Sequence, residues 1–299
     1  MHFYSAQVDM NRASYNVALK QNQMQNYFYK RTGEQAVNRY FLLYSASLCL
    51  IFMLLTSMAK AQTDMDTTTS IVKKGKADQA WNLDVLVGAD KPGADMANRF
   101  GNSYKIGFGL KFKSTYNWIF GVKAEFIFGK KINEPNYLSN VVTDQGAVIS
   151  KGGDLMNVGI FERGYMLGAQ VGKVFPILQL NRNSGPVMIA SVGFIQHKIK
   201  LFDRDESFPQ LSGQYKKGYD RLTNGIYLED FIGYQYFAKN KLINFYIGLN
   251  VVYGMTAGRR TYQFDMQQAD TKARTDILTG LKLGWVLPIY KKITEEIYY

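Results

Sequence analysis

The chain has few residue types with which to do chemistry. Among 299 residues there are 2 His and 1 Cys, so thiolate, imidazole and transition-metal chemistry would each rest on isolated side chains. His197 shares a stretch with Ser207 and Ser212, the single pairing of a base with a hydroxyl nucleophile. An enzyme that cuts or acylates lipid would need such a pair on its lipid side or at its rim. A lone histidine near a strand end is more often a hydrogen-bonded wall residue than a ligand. Asp203, Asp205 and Glu206 gather carboxylates that could hold calcium. The glycine and terminal glutamate of a calcium loop are missing, and a solvated charge run fits better. Gly101 to Gly109 contains no Gly-x-Gly-x-x-Gly or Walker pattern, so no phosphate cradle is written there. No catalytic, cofactor-binding or metal-binding residue is assigned, and no cofactor is expected.

Charge comes next. The formal net charge is +12, which would suit a nucleic-acid binder, but the basic residues are spread along the chain and form no single basic face. No nucleic-acid partner is expected. Lys105, Lys111, Lys123, Glu125 and Lys282 share another property: they alternate with apolar residues and stand among glycines. Charges spaced by two point to one face of a strand.

The elements that carry them read as strands. Tyr104, Ile106, Phe108, Leu110 and Phe112 alternate with Lys105, Gly107, Gly109, Lys111 and Lys113. Trp118 to Phe128, Phe245 to Tyr253 and Ile277 to Ile289 repeat the division. Weaker segments cover Trp81 to Ala89, Gly164 to Phe175, Val187 to Lys200 and Asn224 to Phe237. In Val187 to Lys200 the faces are blurred by Ile189 and Ile195. With 21 Tyr, 19 Phe, 27 Gly and only 6 Pro, the composition favours strands and tight turns. Each segment is long enough for a tilted membrane strand of ~9–11 residues.

The connections alternate: long (90–103), short (114–116), long (130–163), medium (176–186), long (201–223), short (238–242) and long (257–275). That rhythm predicts an all-β fold, an eight-stranded antiparallel up-and-down transmembrane β-barrel with short periplasmic turns, long external loops and both termini periplasmic. Trp81, Trp118 and Trp285 then fall at the periplasmic end on the apolar face, as an aromatic girdle. A soluble sandwich or lipocalin-like barrel would turn the apolar faces inward. Lysines alternating with glycines suit a narrow polar lumen better than a solvated exterior, and a lipid-facing lysine at the midplane would cost ~2–4 kcal/mol. A three-residue turn at Ser114 to Tyr116 would place Lys105 opposite Glu125 inside that lumen.

Ahead of the strands, FLLYSASLCLIFMLL (Phe41 to Leu55) is an apolar run of signal-peptide length. Lys30, Arg31 and Arg39 precede it, and Ala59-Lys60-Ala61 follows it. Residues 1–61 are therefore expected to be a signal segment cleaved before Gln62, with a true start possible at Met24. The run is short of the ~20 residues of a spanning helix, and Cys49 lies within the run, where no lipoprotein signal would place it. Basic residues outnumber acidic ones by four before residue 62, so the mature charge is about +8. Residues 62–80 form a periplasmic linker, 81–290 the barrel and 291–299 a periplasmic tail.

The sequence resembles the outer-membrane β-barrel proteins of the Bacteroidota, in the small outer-membrane beta-barrel domain. The likeness rests on Gly193-Phe194-Ile195-Gln196-His197-Lys198-Ile199-Lys200, on Pro209-Gln210-Leu211-Ser212-Gly213, on Lys217-Gly218-Tyr219-Asp220-Arg221-Leu222-Thr223-Asn224-Gly225, and on the closing Gly284-Trp285-Val286-Leu287-Pro288-Ile289-Tyr290. It implies a location in the bacterial outer membrane and no established reaction. The expected role is structural or interactive and non-enzymatic, with outer-membrane lipid and another outer-membrane or periplasmic protein as partners. A lipid-modifying enzyme and a narrow pore for small solutes are the alternatives. The segment Leu201 to Thr223, with Phe202, Phe208, Tyr215 and Tyr219 among charges of both signs, is either an external recognition surface or a packed cap.

Overall fold

Alternating apolar and polar residues can satisfy both of their faces at once if the sheet they form closes on itself. In the computed structural model they do so. The barrel strands are β1 (Ala80–Gly93), β2 (Ser103–Lys113), β3 (Trp118–Gly129), β6 (Gly159–Val174), β7 (Gly185–Phe202), β8 (Thr223–Phe237), β9 (Asn244–Gly258) and β12 (Ala273–Ile289). Each pairs antiparallel with its sequence neighbour among these eight, and β1 pairs with β12 to close the ring. The structure describes residues 77–134, 137–143, 145–176, 182–202, 208–238 and 244–289. The expected signal segment, its cleavage site, Cys49 and the tail 291–299 lie outside the described residues.

All eight expected strands are present, and most extend further at the long-connection end. The apolar pattern marks where the wall faces lipid, whereas the hydrogen-bonded ladder continues above it. The long connections also hold structure of their own. Helix α1 (Ala94–Arg99) follows β1, a hairpin of β4 (Val148–Ile149) and β5 (Leu155–Met156) lies between β3 and β6, and a hairpin of β10 (Arg260–Gln263) and β11 (Gln268–Asp270) lies between β9 and β12. Two 3-10 turns, Pro209–Leu211 and Gly213–Gly218, lie between β7 and β8.

The outer face is apolar. Trp81, Phe108, Phe120, Leu167, Val192, Ile226, Leu249 and Leu281 are among the large hydrophobic residues it exposes. Trp81, Trp118 and Trp285 all lie on it at the short-turn end, where Trp81 meets Phe112 with ring centroids 5.3 Å apart. Asp230, on the outward-facing row of β8, interrupts this belt and is buried.

The β2–β3 register differs from the three-residue-turn expectation. Lys105 pairs with Ile127, and Glu125 with Gly107. The connection is a four-residue turn: the Ser114 amide donates to the Trp118 carbonyl at 2.8 Å, and Asn117 takes the left-handed conformation, φ 64°. Asparagine tolerates that region because its short amide can bond locally. The resulting slip is two residues, which leaves every side chain on its expected face.

Inside, side chains fill three layers. Near the short-turn end Ile119, Val174, Val187, Ile189, Phe231, Phe237, Tyr246 and Val286 form one apolar layer. Near the long-loop end Met96 and Phe100 of α1 and its flank join Ile127, Met166, Ile195, Ile199, Tyr227, Val252 and Leu278 in another. Ile189 and Ile195, which blur the alternation in β7, are thus interior residues, one in each layer. Between the two layers lie the charges. Glycine makes room for the rings: the Tyr246 ring occupies the space a Cβ on Gly284 would need, and the Tyr227 hydroxyl does so at Gly168.

Candidate functional site

The charged layer contains Lys105, Lys111, Lys123 and Lys282 facing Asp84, Asp90, Glu125 and Glu229, all buried. Lys282 donates to Glu125 at 2.7 Å and Lys123 to the same carboxylate oxygen at 2.9 Å, while both also bind Glu229. Lys105 pairs with Asp90 at 2.9 Å and approaches Glu125 at 3.7 Å, so the expected partnership exists diagonally across the slipped register. Asn250 donates to the other Asp90 oxygen at 3.0 Å. Lys111 binds Asp84 and lies 4.2 Å from the centre of the Tyr246 ring. Each lysine thus has a carboxylate, which is what burial demands of a charge. The space left within this layer is about 10 Å³, at the lower limit for one water.

Sequence reasoning located the lysines and Glu125 but missed Asp84, Asp90 and Glu229. Asp84 and Glu229 sit on the inward rows of two of the four weaker segments, Trp81 to Ala89 and Asn224 to Phe237, and Asp90 lies one residue past the expected end of the first. Following the parity of Trp81 and Ile226 would have placed all three inside.

His197 lies within the barrel and does not serve Ser212. Its Nε2 is 2.8 Å from Asp276 Oδ2, the Thr256 hydroxyl donates to the same oxygen at 2.5 Å, and Phe100 stands edge-on to the imidazole at 5.4 Å. Ser212 donates its hydroxyl to the Pro209 carbonyl at 2.9 Å. Inward parity on β7 sends His197 away from lipid, so the imidazole is a wall residue bonded to a neighbouring carboxylate. Ser207, Asp203, Asp205 and Glu206 lie outside the described residues. Among the described residues no group of three or more His, Cys, Asp or Glu could hold a metal ion.

Above α1 the long connections build a cap. Arg99, buried, donates to the Arg221 carbonyl at 3.0 Å and to the Thr223 hydroxyl at 2.8 Å, and pairs with Glu134 at 3.0 Å. Arg221, left-handed at φ 49°, pairs with Asp265 at 2.8 Å and reaches Glu134 at 3.6 Å. Leu138, Val148, Leu201, Phe208, Leu211 and Tyr219 form an apolar core over this network. Tyr137 packs against it, and burial pushes its phenol above its ordinary pKa.

The segment Leu201 to Thr223 divides accordingly. Phe208 and Tyr219 are packed into the cap, Phe202 lies exposed at the end of β7, and Tyr215 is 59% exposed. Tyr215 lies on a cleft of about 580 Å³ together with Asn140, Pro209, Gln210, Tyr219, Tyr262, Phe264 and Gln267. Phe264 is its hub, with ring centroids 6.0 Å from Tyr215, 5.5 Å from Tyr219 and 5.7 Å from Tyr262. The sequence did not show that the β10–β11 hairpin supplies half of these rings.

An apolar exterior closed around a paired ionic interior defines a membrane β-barrel: only lipid can cover such a belt, and only closure satisfies every strand's backbone inside lipid. No protein-family model and no curated protein sequence matches the chain. Solved structures do resemble it. Neisserial surface protein A is similar at 12% identity over 70% of this chain and 98% of its own, with a TM-score of 0.35. Ail, the attachment invasion locus protein of Yersinia pestis, in complex with the heparin analogue sucrose octasulfate, is similar at 10% identity over 70% and 99%, with a TM-score of 0.35. The outer membrane protein OprG from Pseudomonas aeruginosa is similar at 11% identity over 74% and 100%, with a TM-score of 0.31.

Proposed function

We propose that this chain is a non-enzymatic barrel of the bacterial outer membrane, with both termini periplasmic, whose external loops recognise a protein partner. The observation that carries this reading is the Tyr215–Tyr262 cleft, an exposed aromatic surface on a cap tied down by buried arginines. Rigid rings give contact area at small entropic cost, and the amides of Asn140, Gln210 and Gln267 can orient a partner. The filled interior supports an interaction role over transport, and the inward position of His197 supports it over lipid modification. Short turns at the Trp81, Trp118 and Trp285 end support a periplasmic assignment for that end.

The test is a Tyr215→Ser/Tyr262→Ser variant expressed in place of the wild type, with partners recovered after mild detergent extraction. Both side chains are exposed, so the variant should insert normally and lose the partner that the wild type retains. An unchanged set of co-purifying proteins would end the proposal. Lipid A mass spectra from cells with and without the protein should be identical; a missing or added acyl chain would establish the enzyme instead.

A further inference from the structure

A second cleft lies on the lipid side of the wall. About 670 Å³ in volume, it spans the long-loop ends of β1, β2, β3 and β6 and the connections above them. Lys91, Lys130, Lys131 and Arg163 line it, with the aromatic residues Tyr104, Phe128 and Phe161 and the amides Asn102 and Asn133; no carboxylate does. Strand parity explains the arrangement. Lys91, Tyr104, Phe128, Phe161 and Arg163 occupy the same outward rows as the lipid-facing residues Val87, Ile106, Phe126 and Leu167.

The registers arrange rings and charges in adjoining rows. Tyr104 pairs with Phe128, Phe128 with Arg163, and Arg163 with Lys198, which is also outward, as is Lys200 opposite Phe161. Tyr104 and Phe128 are 5.9 Å apart, and the Arg163 guanidinium lies 5.3 Å from the centre of the Phe161 ring. Among the described residues, none of the four lining cations takes part in a salt bridge. In the charged layer, by contrast, each of the four lysines has a carboxylate.

The upper part of the cleft is held by backbone. Gly101 donates to the Lys131 carbonyl at 2.9 Å, and Asn133 donates its side-chain amide to the carbonyls of Ala97 at 3.2 Å and Phe100 at 3.1 Å. A Cβ on Gly101 would strike the Lys131 side chain at 2.7 Å, so glycine there lets that lysine lie across the cleft. Arg163, which donates to the Glu162 carbonyl at 2.6 Å, stands level with Phe128, and Lys91, Lys130 and Lys131 lie loop-ward of the Tyr104 and Phe128 rings. Cations so placed at the upper edge of a lipid-facing belt match a molecule with acyl chains below and negative charge above.

We propose that this cleft binds the phosphate-bearing headgroup of an anionic lipid in the leaflet at the long-loop end. Lys91, Lys130, Lys131 and Arg163 engage the phosphates, and Tyr104, Phe128 and Phe161 contact the adjoining chains. Arg163 can present two donors to one phosphate, and the lysines act as point charges. The proposal rests on the membrane reading above, but not on the aromatic cleft of the cap.

The experiment uses the full mature chain in detergent micelles, with retained lipid counted by native mass spectrometry. The probes are bisphosphorylated lipid A, its fully dephosphorylated counterpart and inorganic phosphate. The wild type should retain the bisphosphorylated lipid and not the dephosphorylated one. A Lys91→Gln/Lys130→Gln/Lys131→Gln/Arg163→Gln variant should retain it more than about tenfold less well. A Lys151→Gln/Lys173→Gln/Lys216→Gln/Lys217→Gln variant, which removes the same charge elsewhere, should behave as the wild type. Heat-dependent gel mobility reports folding, and if the fourfold variant fails to fold, Lys130→Gln/Arg163→Gln is read in the same way. Equal retention by the cleft variant, equal loss in the control variant, or equal retention of dephosphorylated lipid overturns the proposal. So does displacement of the lipid by inorganic phosphate, which would make the cleft a site for the free ion. Insertion of the wild type into vesicles is scored separately, so failure of the membrane reading is distinguishable from failure of the site.

Discussion

Glu125 shows how much a single side chain holds in this barrel. It receives Lys123 at 2.9 Å and Lys282 at 2.7 Å on one oxygen, with Lys105 at 3.7 Å from the other. Removing it leaves three buried ammonium groups with fewer carboxylates than cations, and breaking a buried pair from one side costs about 3–5 kcal/mol. Glu125→Ala should therefore lower the unfolding free energy obtained from urea titration in detergent by an amount in that range. The double replacement Glu125→Gln/Lys282→Met restores neutrality and should lose less than the two single changes together, because residues in one network do not act additively. Additive losses would show that the contacts are not coupled. The residues of this layer were half legible in the sequence: the lysines stand in strongly alternating strands, while Asp84 and Glu229 stand in strands with weak contrast.

At the level of elements, the cap is held by two arginines that link segments distant in sequence. Arg99 of α1 binds the Arg221 carbonyl, and Arg221 in turn holds Asp265 of the β10–β11 hairpin. Arg221→Ala removes the cation from the buried carboxylate of Asp265, while Glu134 keeps Arg99. That loss is worth about 1–3 kcal/mol or more of local stability, without touching the lipid-facing wall. Chymotrypsin cleavage after Tyr215 should become about tenfold faster or more, while the barrel keeps its folded gel mobility. Unchanged cleavage would mean that the apolar core around Phe208 and Leu211 suffices by itself. The long connections could be counted from the sequence, but not what they form. A six-residue helix and two short hairpins carry too little periodicity to be read, and Arg99 at the end of that helix is held by contacts across more than a hundred residues.

For the whole molecule, the order of layers sets the transport expectation. Two apolar layers enclose a neutral ionic layer with room for about 10 Å³, and an eight-stranded barrel is just wide enough for side chains to fill. Purified protein in planar bilayers should give no sustained conductance steps above background at physiological salt. Steady openings would require the layer of Lys123, Glu125, Glu229 and Lys282 to rearrange, and would favour the narrow-pore reading over the interaction role.

By itself the sequence determined the number of barrel strands, the inward and outward rows of the strongly alternating ones and the end at which the tryptophans gather. Those properties follow from period-two alternation, which a slip of two residues leaves intact. Tertiary structure alone decided the register, because Asn117 in a left-handed turn shifts β3 against β2 without altering any face. It also decided the company each charge keeps. His197 meets Asp276 across 79 residues, Lys123 meets Glu229 across 106, and Tyr215 meets Phe264 through a hairpin that no local pattern announced. Closing the sheet brings such residues together, and closure depends on the summed geometry of all eight strands, which no single segment encodes.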